Sequence, residues 1–148
     1  MQYPVIGWYH HNKMKFNIRR INESDWETFE TWWKDWGFEV LPHKDFLPDN
    51  GTSGLIVEKD NKPIVSTFIY TTNSKVAIFE WPLSDKSYKE NDREKAIELL
   101  IAGVENVCRA HGYKYLQFFG DNKKYIQKLK DLNFVEGDGG YSLITKKI

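Results

Sequence analysis

Five consecutive segments decide the fold: VAIFEW (76–81), SDKSYKEND (84–92), REKAIELLIAGVENVCRAH (93–111), YKYLQFF (113–119) and NKKYIQKLKDL (122–132). The apolar spacing predicts a strand, a polar loop, a long helix, a second strand and a second helix, in that order. Such a βαβα unit sets the N-terminus of its first helix beside the ends of two parallel strands, where backbone N–H groups suit an anion. The loop has no glycine, which weakens this prediction because a tight phosphate cradle needs close backbone approach.

Upstream of this unit the sequence predicts a strand, a helix, a loop and a β-meander. The strand is MKFNIRRI (14–21), and Ser24 with Glu27 predicts a capping box for a helix that Gly37 ends. Residues 38–53 (FEVLPHKDFLPDNGTS) predict a loop with one helical turn near residues 43–47, and its length makes it a candidate acceptor-side lid. Turn residues separate the three meander strands, which are residues 54–59, 64–71 and 75–81.

Downstream of the unit, residues 135–136 and 141–146 predict a last pair of strands around GDGG (137–140). The predicted order is therefore β-α-(α)-β-β-β-α-β-α-β-β, an α/β fold of the α+β type with helices on the faces of a mixed sheet. Residues 1–13 predict an N-terminal extension, and residues 14–148 predict a single domain.

Composition limits the classes of function. The 148 residues are 41% hydrophobic and 16% aromatic, which predicts a globular chain with a real core. Twenty-one basic residues balance 21 acidic ones, so we expect no general attraction to nucleic acid or membrane. The single cysteine fits a reducing compartment, the four histidines form no metal-ligand cluster, and neither a membrane span nor a signal peptide is predicted. These features predict a soluble cytoplasmic protein, a monomer or homodimer.

Aromatic residues form a stripe on the first predicted helix. Four of them recur at helical spacing with Trp32 beside the stripe; they are Trp26, Phe29, Trp33 and Trp36. A stripe at this period is more often core than a binding surface. The alternative, an aromatic surface that binds nucleic acid or peptide, requires Trp32 to be exposed. Cys108 falls on the apolar face of the long helix and is predicted to be a buried hydrophobe, not a nucleophile.

Three features of the chain resemble the GNAT acetyltransferase superfamily. They are the junction of strand and long helix after three antiparallel strands, RAHGY (109–113) closing that helix, and Asn122 followed by LNF (132–134). The similarity covers residues 14–148, and WWKDWGFEVLP (32–42) with IFEW (78–81) is similar to a subgroup common in phage and environmental genomes. The resemblance implies a GNAT-like fold and an N-acetyltransferase that moves an acetyl group from acetyl-CoA to a primary amine by direct attack.

The resemblance also implies where the cofactor binds. Acetyl-CoA would lie in a splay between the fourth strand (75–81) and the fifth (113–119), with its pantetheine on backbone around Phe79, Trp81 and Leu83. The pyrophosphate would lie on the turn before the long helix, which the family writes R/Q-x-x-G-x-G/A. Arg93 takes the first position, whereas Ala96 and Glu98 stand where the glycines belong. The remaining implied contacts are Glu94, Lys95 and Asn122. A solvated helix start capped by residue 91 or 92 is the alternative.

Acid–base groups follow from the same resemblance. Glu80 matches the position of the base in several members, although strand alternation also allows a surface carboxylate. The usual acid tyrosine is replaced by Leu129, and Tyr125, one turn earlier, is the candidate substitute or a core aromatic residue. The acceptor is predicted to be a small-molecule or peptide amine. The alternative function is a catalytically degenerate GNAT-fold protein with a binding or accessory role.

Overall fold

The computed structural model describes residues 8–11 and 14–148, with side chains from Phe16 onward. The described residues divide into two compact units between Phe118 and Phe119. The first unit contains a six-stranded sheet with a helix on each face, and the second contains one helix. The strands are β1 (Trp8–His11), β2 (Met14–Arg20), β3 (Gly54–Lys59), β4 (Lys62–Thr71), β5 (Val76–Ser84) and β6 (Tyr115–Gln117). The helices are α1 (Trp26–Asp35), α2 (Glu90–Ala110) and α3 (Lys123–Asp131).

Neighbouring strands in the sheet follow the order of the chain, β1-β2-β3-β4-β5-β6. Every pair is antiparallel except β5 and β6, which α2 connects as parallel strands. The predicted meander and the strand–helix–strand unit after it are confirmed. A parallel pair needs a crossover of this kind, and the 21-residue α2 supplies it.

Both ends of the chain differ from the predicted order of strands. β1 pairs with β2 and lies within residues 1–13, whose assignment as an extension stays a prediction because residues 1–7 and 12–13 are outside the described residues. At the other end residues 135–148 form no strand, so the predicted last pair is absent. Three glycines in residues 137–140 raise the entropic cost of ordering a hairpin there. Leu143 and Ile144 are 94% and 89% exposed, so no burial offsets that cost.

A short 3₁₀ turn (Glu23–Asp25) leads into α1 and moves its cap. The Asn22 side chain accepts the Ser24 N–H at 3.0 Å, and the Asp25 carboxylate accepts the Asn22 N–H at 2.9 Å. The capping box is therefore Asn22 with Asp25, and the predicted pair of Ser24 and Glu27 is wrong because the turn starts before the helix. Gly37, at a φ of +93°, follows the end of α1 as predicted.

The face of the sheet under α1, here called the α1 face, has an aromatic core. Phe29, Trp32 and Trp33 of α1 pack with Phe68 of β4 and Leu83 of β5. Trp32 is 4% exposed, which ends the alternative of an aromatic binding surface built on that residue. The stripe is only partly buried, because Trp36 at its far end is 44% exposed.

The opposite face, here called the α2 face, is packed more tightly and mostly with aliphatic side chains. α2 lies close because Gly103 has no Cβ; one built there would be 3.2 Å from Leu55 Cδ1 and 3.3 Å from Ile18 Cγ2. Cys108 is buried in α2 as predicted, and burial raises its pKa to about 11. Such a thiol stays protonated at neutral pH, so the prediction that it is no nucleophile is consistent with its environment.

The second unit is organised by α3. Asn122 caps the helix as predicted, since its side-chain oxygen accepts the Tyr125 N–H at 2.9 Å. Asn133, at a φ of +73°, reverses the chain after the helix, a conformation that asparagine tolerates better than most residues. Phe134 then donates its N–H to the Leu129 carbonyl at 3.0 Å. Leu129 is the buried side chain of α3.

Candidate functional site

A β-bulge interrupts the pairing of β4 and β5. Phe68 lies opposite Glu80 and Ser66 opposite Leu83, so two residues of β5 face the single Thr67 of β4. Trp81, in the bulge, has a φ of +57°, which is rare for a residue with a large side chain. The Thr67 hydroxyl donates to the Glu80 carbonyl at 2.9 Å and bridges the gap in the ladder. A bulge of this kind redirects side chains and is frequent beside active sites.

The bulge places two consecutive side chains on the α1 face. Glu80 is the cross-strand partner of Phe68, whose ring is in the α1-face core, so Glu80 is on that face. Trp81 also packs against this core, and its ring is 6.2 Å from that of Trp33. Phe79 points to the opposite face, as strand alternation predicts, and stacks on Phe118 at 5.5 Å. A carboxylate and an indole therefore stand side by side.

The other edge of β5 separates from β6 after three residue pairs. Val76, Ala77 and Ile78 pair with β6, while β5 continues to Ser84. The Lys75 carbonyl points toward β6 and accepts N–H groups from residues 114 and 115, at 2.9 and 3.0 Å. The pairing that the structure describes between these two strands is limited to those three residues. The splay between residues 75–81 and 113–119 stays a prediction.

An apolar cleft of about 230 Å³ lies on the loop after α1, beside the bulge. Its lining residues are Phe38, Val40, Leu41, Pro42, His43, Phe46 and Trp81. The predicted helical turn is present as a 3₁₀ turn, Lys44–Phe46, which carries one wall. Residues 38–46 belong to the segment that the sequence predicts to be an acceptor-side lid, and they do line a cleft.

Tyr70 links the two walls of the cleft. Its hydroxyl accepts the Trp81 indole N–H at 3.2 Å and donates to the Phe46 carbonyl at 3.3 Å. Burial raises the pKa of Tyr70, the bond from Trp81 lowers it, and the charge of Glu80 raises it further. Sequence reasoning missed Tyr70, for which the only available signal was its place in a strand beside the β5 pattern.

The turn before α2 is built on Asp85. Its carboxylate accepts both the N–H and the hydroxyl of Ser87, at 2.9 and 2.6 Å, and its carbonyl accepts the Tyr88 N–H at 3.1 Å. Lys89 is the N-cap of α2 and makes no side-chain capping bond. The first turn carries two carboxylates, Glu90 and Asp92, which favour the positive end of the helix dipole.

The predicted start of the long helix at Arg93 is wrong, because α2 begins at Glu90. The phosphate contacts stay predictions. No helix breaker separates Lys89 from Arg93, and the acidic residues stabilise the earlier start. Four predicted cofactor residues therefore lie inside the helix: Arg93, Glu94, Lys95 and Ala96. Ala96 is fully buried, and the Nε of Arg93 is buried with no hydrogen-bond partner among the described residues. Lys59 of β3 neutralises Asp92 through an ion pair of 2.6 Å.

Trp36 joins the end of α1 to the far end of β5. Its indole N–H donates to the Ser84 carbonyl at 2.8 Å. Lys86 lies 5.1 Å from the centre of the same ring and donates to the Asp35 carbonyl at 3.5 Å. This contact explains why the last aromatic residue of the stripe is not in the core.

The predicted site residues are distributed over both units. Glu80, Trp81 and Leu83 lie at or beside the bulge in the first unit, where Phe79 points to the opposite face, and Asn122 and Tyr125 belong to the second unit. Asn122 is the cap of α3 and Tyr125 is half-buried there, so their catalytic and cofactor roles stay predictions. Among the described residues, no group of three or more side chains is arranged to hold a metal ion. Within the same residues, no helix has the length and apolar character needed to cross a membrane.

Comparison with solved structures identifies the class of fold. An acetyltransferase from Trypanosoma brucei is 15% identical to the chain with a TM-score of 0.64, over 88% of this chain and 99% of that one. AAC(6')-Iy, in complex with the bisubstrate analogue CoA-S-monomethyl-acetylneamine, is 17% identical with a TM-score of 0.61, over 90% and 99%. Glucosamine-6-phosphate N-acetyltransferase from Arabidopsis thaliana is 13% identical with a TM-score of 0.59, over 88% and 99%.

These likenesses extend over most of each chain, and the protein has the GNAT acetyltransferase fold. The resemblance read from residues 76–134 is confirmed at the level of the fold. No family model matches the sequence. No curated protein matches it either.

Proposed function

We propose that the protein is an acetyl-CoA-dependent N-acetyltransferase that acts on a primary amine. The observation that carries the proposal is the short parallel pairing of β5 with β6, which stops before the bulge at Trp81. The fold supports it, because one structural neighbour is named with a CoA bisubstrate analogue and another is named as an N-acetyltransferase of glucosamine 6-phosphate. We expect a monomer or a homodimer in the cytoplasm.

The edge of β5 fits the pantetheine arm of CoA, whose two amides can pair with a strand edge. Backbone groups alternate along a strand, and the Glu80 carbonyl points toward β4 while the Lys75 carbonyl points toward β6. Alternation therefore turns the backbone of Phe79 toward the β6 side, whereas the bulge interrupts alternation at Trp81. Pro82, which is exposed, has no N–H to leave unpaired at that edge. Leu83 is the third predicted contact along this path.

The start of α2 fits the phosphates less closely. Arg93 presents a guanidinium whose Nε is buried without a partner, and an anion bound there would satisfy the group. Lys89 and Lys95 add positive charge, and Lys59 already offsets Asp92. The carboxylate of Glu90 would repel a bound anion. These charges together favour phosphate binding through the positively charged side chains, which is sensitive to salt, and not through a glycine-rich turn. The other contacts kept in this proposal are Glu94, Ala96 and Asn122.

Glu80 is the proposed general base. The bound cofactor would supply an activated acetyl thioester, and an amine becomes nucleophilic only after its ammonium form loses a proton. The Glu80 carboxylate accepts that proton directly or through one water molecule, on the face that also carries the apolar cleft. Tyr125 remains the proposed donor of the proton that the leaving thiolate needs. Cys108 takes no part, because its thiol is buried and protonated.

Cofactor binding and turnover test the proposal separately. We expect acetyl-CoA at about 1 mM to raise the melting temperature by several degrees, since ligand at about 100 times Kd adds roughly 2.7 kcal/mol. Thiol release should follow when an amine is added. Arg93→Met should reduce the thermal shift, and Lys62→Met, at an exposed lysine that begins β4, should not. The absence of any shift at millimolar cofactor would exclude the proposal.

A further inference from the structure

We propose that the acceptor is an aryl- or alkylamine, a single primary ammonium group on an apolar body, and that the cleft beside Trp81 binds that body. This inference rests on the proposed function, because it names the substrate class of the same site. It does not follow from the structural neighbours, two of which are named with a sugar or neamine derivative. It follows from the lining of the cleft.

The lining matches an apolar ligand. Six of the seven lining residues have apolar or aromatic side chains, and the seventh is His43. No carboxylate is among them. A polycationic or polyhydroxylated acceptor needs several paired acceptors and donors, because each buried polar group without a partner is costly. An apolar body needs only the release of water from the cleft wall.

The size of the cleft sets the size of the ligand. An apolar cavity of about 150 Å³ holds a benzene molecule in a well-studied engineered protein. The cleft measures about 230 Å³, which is enough for one aromatic ring and a short alkyl chain. A larger acceptor would extend into solvent. The expected body is therefore a phenyl, indole or short branched alkyl group.

The carboxylate stands at one end of this apolar surface. The bulge sets Glu80 next to Trp81 on the α1 face, and Trp81 is a wall of the cleft. The Tyr70 hydroxyl bonds to both Trp81 and Phe46, and burial and the charge of Glu80 raise the pKa of that hydroxyl. One carboxylate beside one apolar cleft complements a molecule with one ammonium group and one apolar body.

The walls of the cleft are held in place before a ligand arrives. The Phe46 and Trp81 rings meet edge to face with centres 6.5 Å apart, and Tyr70 fixes the backbone of Phe46. Phe38 and Phe46 nevertheless remain 43% and 55% exposed on the same loop. Exposed apolar side chains clustered around a concave surface are typical of a binding site. A preformed site loses less entropy when it binds.

Calorimetric titration of the purified protein tests the inference with three probes: 2-phenylethylamine, glucosamine and kanamycin. We expect 2-phenylethylamine to bind at least about tenfold more tightly than either sugar amine, because only its body can be buried without losing hydrogen bonds. Phe46→Glu places a carboxylate at the wall and should weaken 2-phenylethylamine by at least about tenfold. Val40→Glu, at a residue that is 83% exposed and tolerant of charge, should act in the same direction.

The matched control is Ala102→Glu, on the exposed surface of α2 and away from the cleft lining. It should leave the Kd for 2-phenylethylamine unchanged. The inference is overturned if either sugar amine binds more tightly, if no probe binds, or if Ala102→Glu weakens binding as much as Phe46→Glu. The acetyl-CoA thermal shift, recorded on the same samples, separates the two proposals. If an amine binds but acetyl-CoA does not raise the melting temperature, the proposed function is excluded. If acetyl-CoA raises the melting temperature but kanamycin binds more tightly than 2-phenylethylamine, this inference is excluded.

Discussion

The two faces of the sheet differ in how they are packed. On the α2 face the helix approaches so closely that Gly103 almost touches Leu55 and Ile18, and the buried residues of α2 are all small or aliphatic apart from Cys108. On the α1 face the core is aromatic, and polar atoms reach into it from Tyr70 and Trp81. One face is closed, and the other ends in a cleft.

The two faces of the sheet therefore have different roles: the α2 face contributes mainly to stability, and the α1 face carries the candidate site. Closely packed aliphatic side chains contribute to the free energy of folding, but they leave no room for a ligand. Tyrosine and tryptophan add O–H and N–H groups to their rings, and hydrogen bonds can orient these side chains. Changes on the α2 face should therefore alter stability and spare ligand binding, whereas a change at Glu80 should alter turnover and spare stability.

Glu80→Gln should have the largest effect, and it lies on the α1 face. Loss of a general base typically lowers kcat about 10²–10⁴-fold, which is roughly 3 to 5 kcal/mol in the activation barrier. The free energy of unfolding should change by less than about 0.5 kcal/mol, because Glu80 is half-buried at the edge of the cleft. Steady-state kinetics and urea unfolding measure both quantities. Glu105→Gln on α2 is the control, and equal losses of kcat in the two variants would contradict the assignment of the base.

Gly103→Leu tests the closed face. The added side chain would overlap Leu55 and Ile18, and overpacking of this kind costs about 1 to 3 kcal/mol. The melting temperature should fall by several degrees while acetyl-CoA still raises it by the same increment. Ala102→Leu, one residue earlier and exposed, should be nearly neutral. A Gly103→Leu protein of unchanged stability would show that α2 is not packed as closely as its backbone indicates.

Alkaline pH should lower the free energy of unfolding through ionisation of Cys108, which is buried on the α2 face. Its folded pKa of about 11 is above its usual value of 9.0, so the stabilising contribution is complete below about pH 9 and is lost as pH rises toward 11. The loss attributable to this thiol should be about 2 kcal/mol by about pH 10.5. Urea unfolding of the wild type and Cys108→Ala at about pH 8 and pH 10.5 isolates it. Parallel pH dependences in the two proteins would refute the prediction.

Trp81→Phe should have the smallest effect on the measured free energies, and it changes a contact of the α1 face only. It removes the 3.2 Å bond to Tyr70, which should cost about 0.5 to 1.5 kcal/mol. The same bond lowers the pKa of Tyr70, so that pKa should rise in the variant. NMR titration of ¹³C-labelled tyrosine measures the change. Trp36→Phe also loses an indole bond, to Ser84, but should leave the pKa of Tyr70 where it is.

Patterns that lie within one element were predicted well from the sequence. β3 spans Gly54–Lys59 as predicted, and Asn122 caps α3, because each depends on residues only a few positions apart. The starts of helices were less accurate. α2 begins at Glu90, three residues before the prediction, since the sequence has no breaker there to mark the boundary. The cap of α1 moved to Asn22 because a 3₁₀ turn precedes the helix.

The sequence predicted part of the candidate site. Glu80 and Trp81 were named from the family resemblance. Tyr70 and Thr67 were not named, because their roles depend on which residue of β4 lies opposite which residue of β5. A shift of that pairing by one position would turn each side chain to the other face. No pattern within either strand specifies the shift.

The sequence by itself determined the order of strands and helices from β2 to α3, the aromatic character of α1 and the GNAT resemblance, because hydrophobic period and turn residues act over short distances along the chain. Only the tertiary structure decided that Glu80 and Trp81 point to the same face, that Tyr70 joins Trp81 to Phe46, and that the loop after α1 forms a cleft with Trp81. These contacts join residues far apart in the chain, and they exist only when the bulge sets the register of two strands. The physical reason is that pairing and packing between distant segments are settled by the whole folded molecule and not by any one stretch of it.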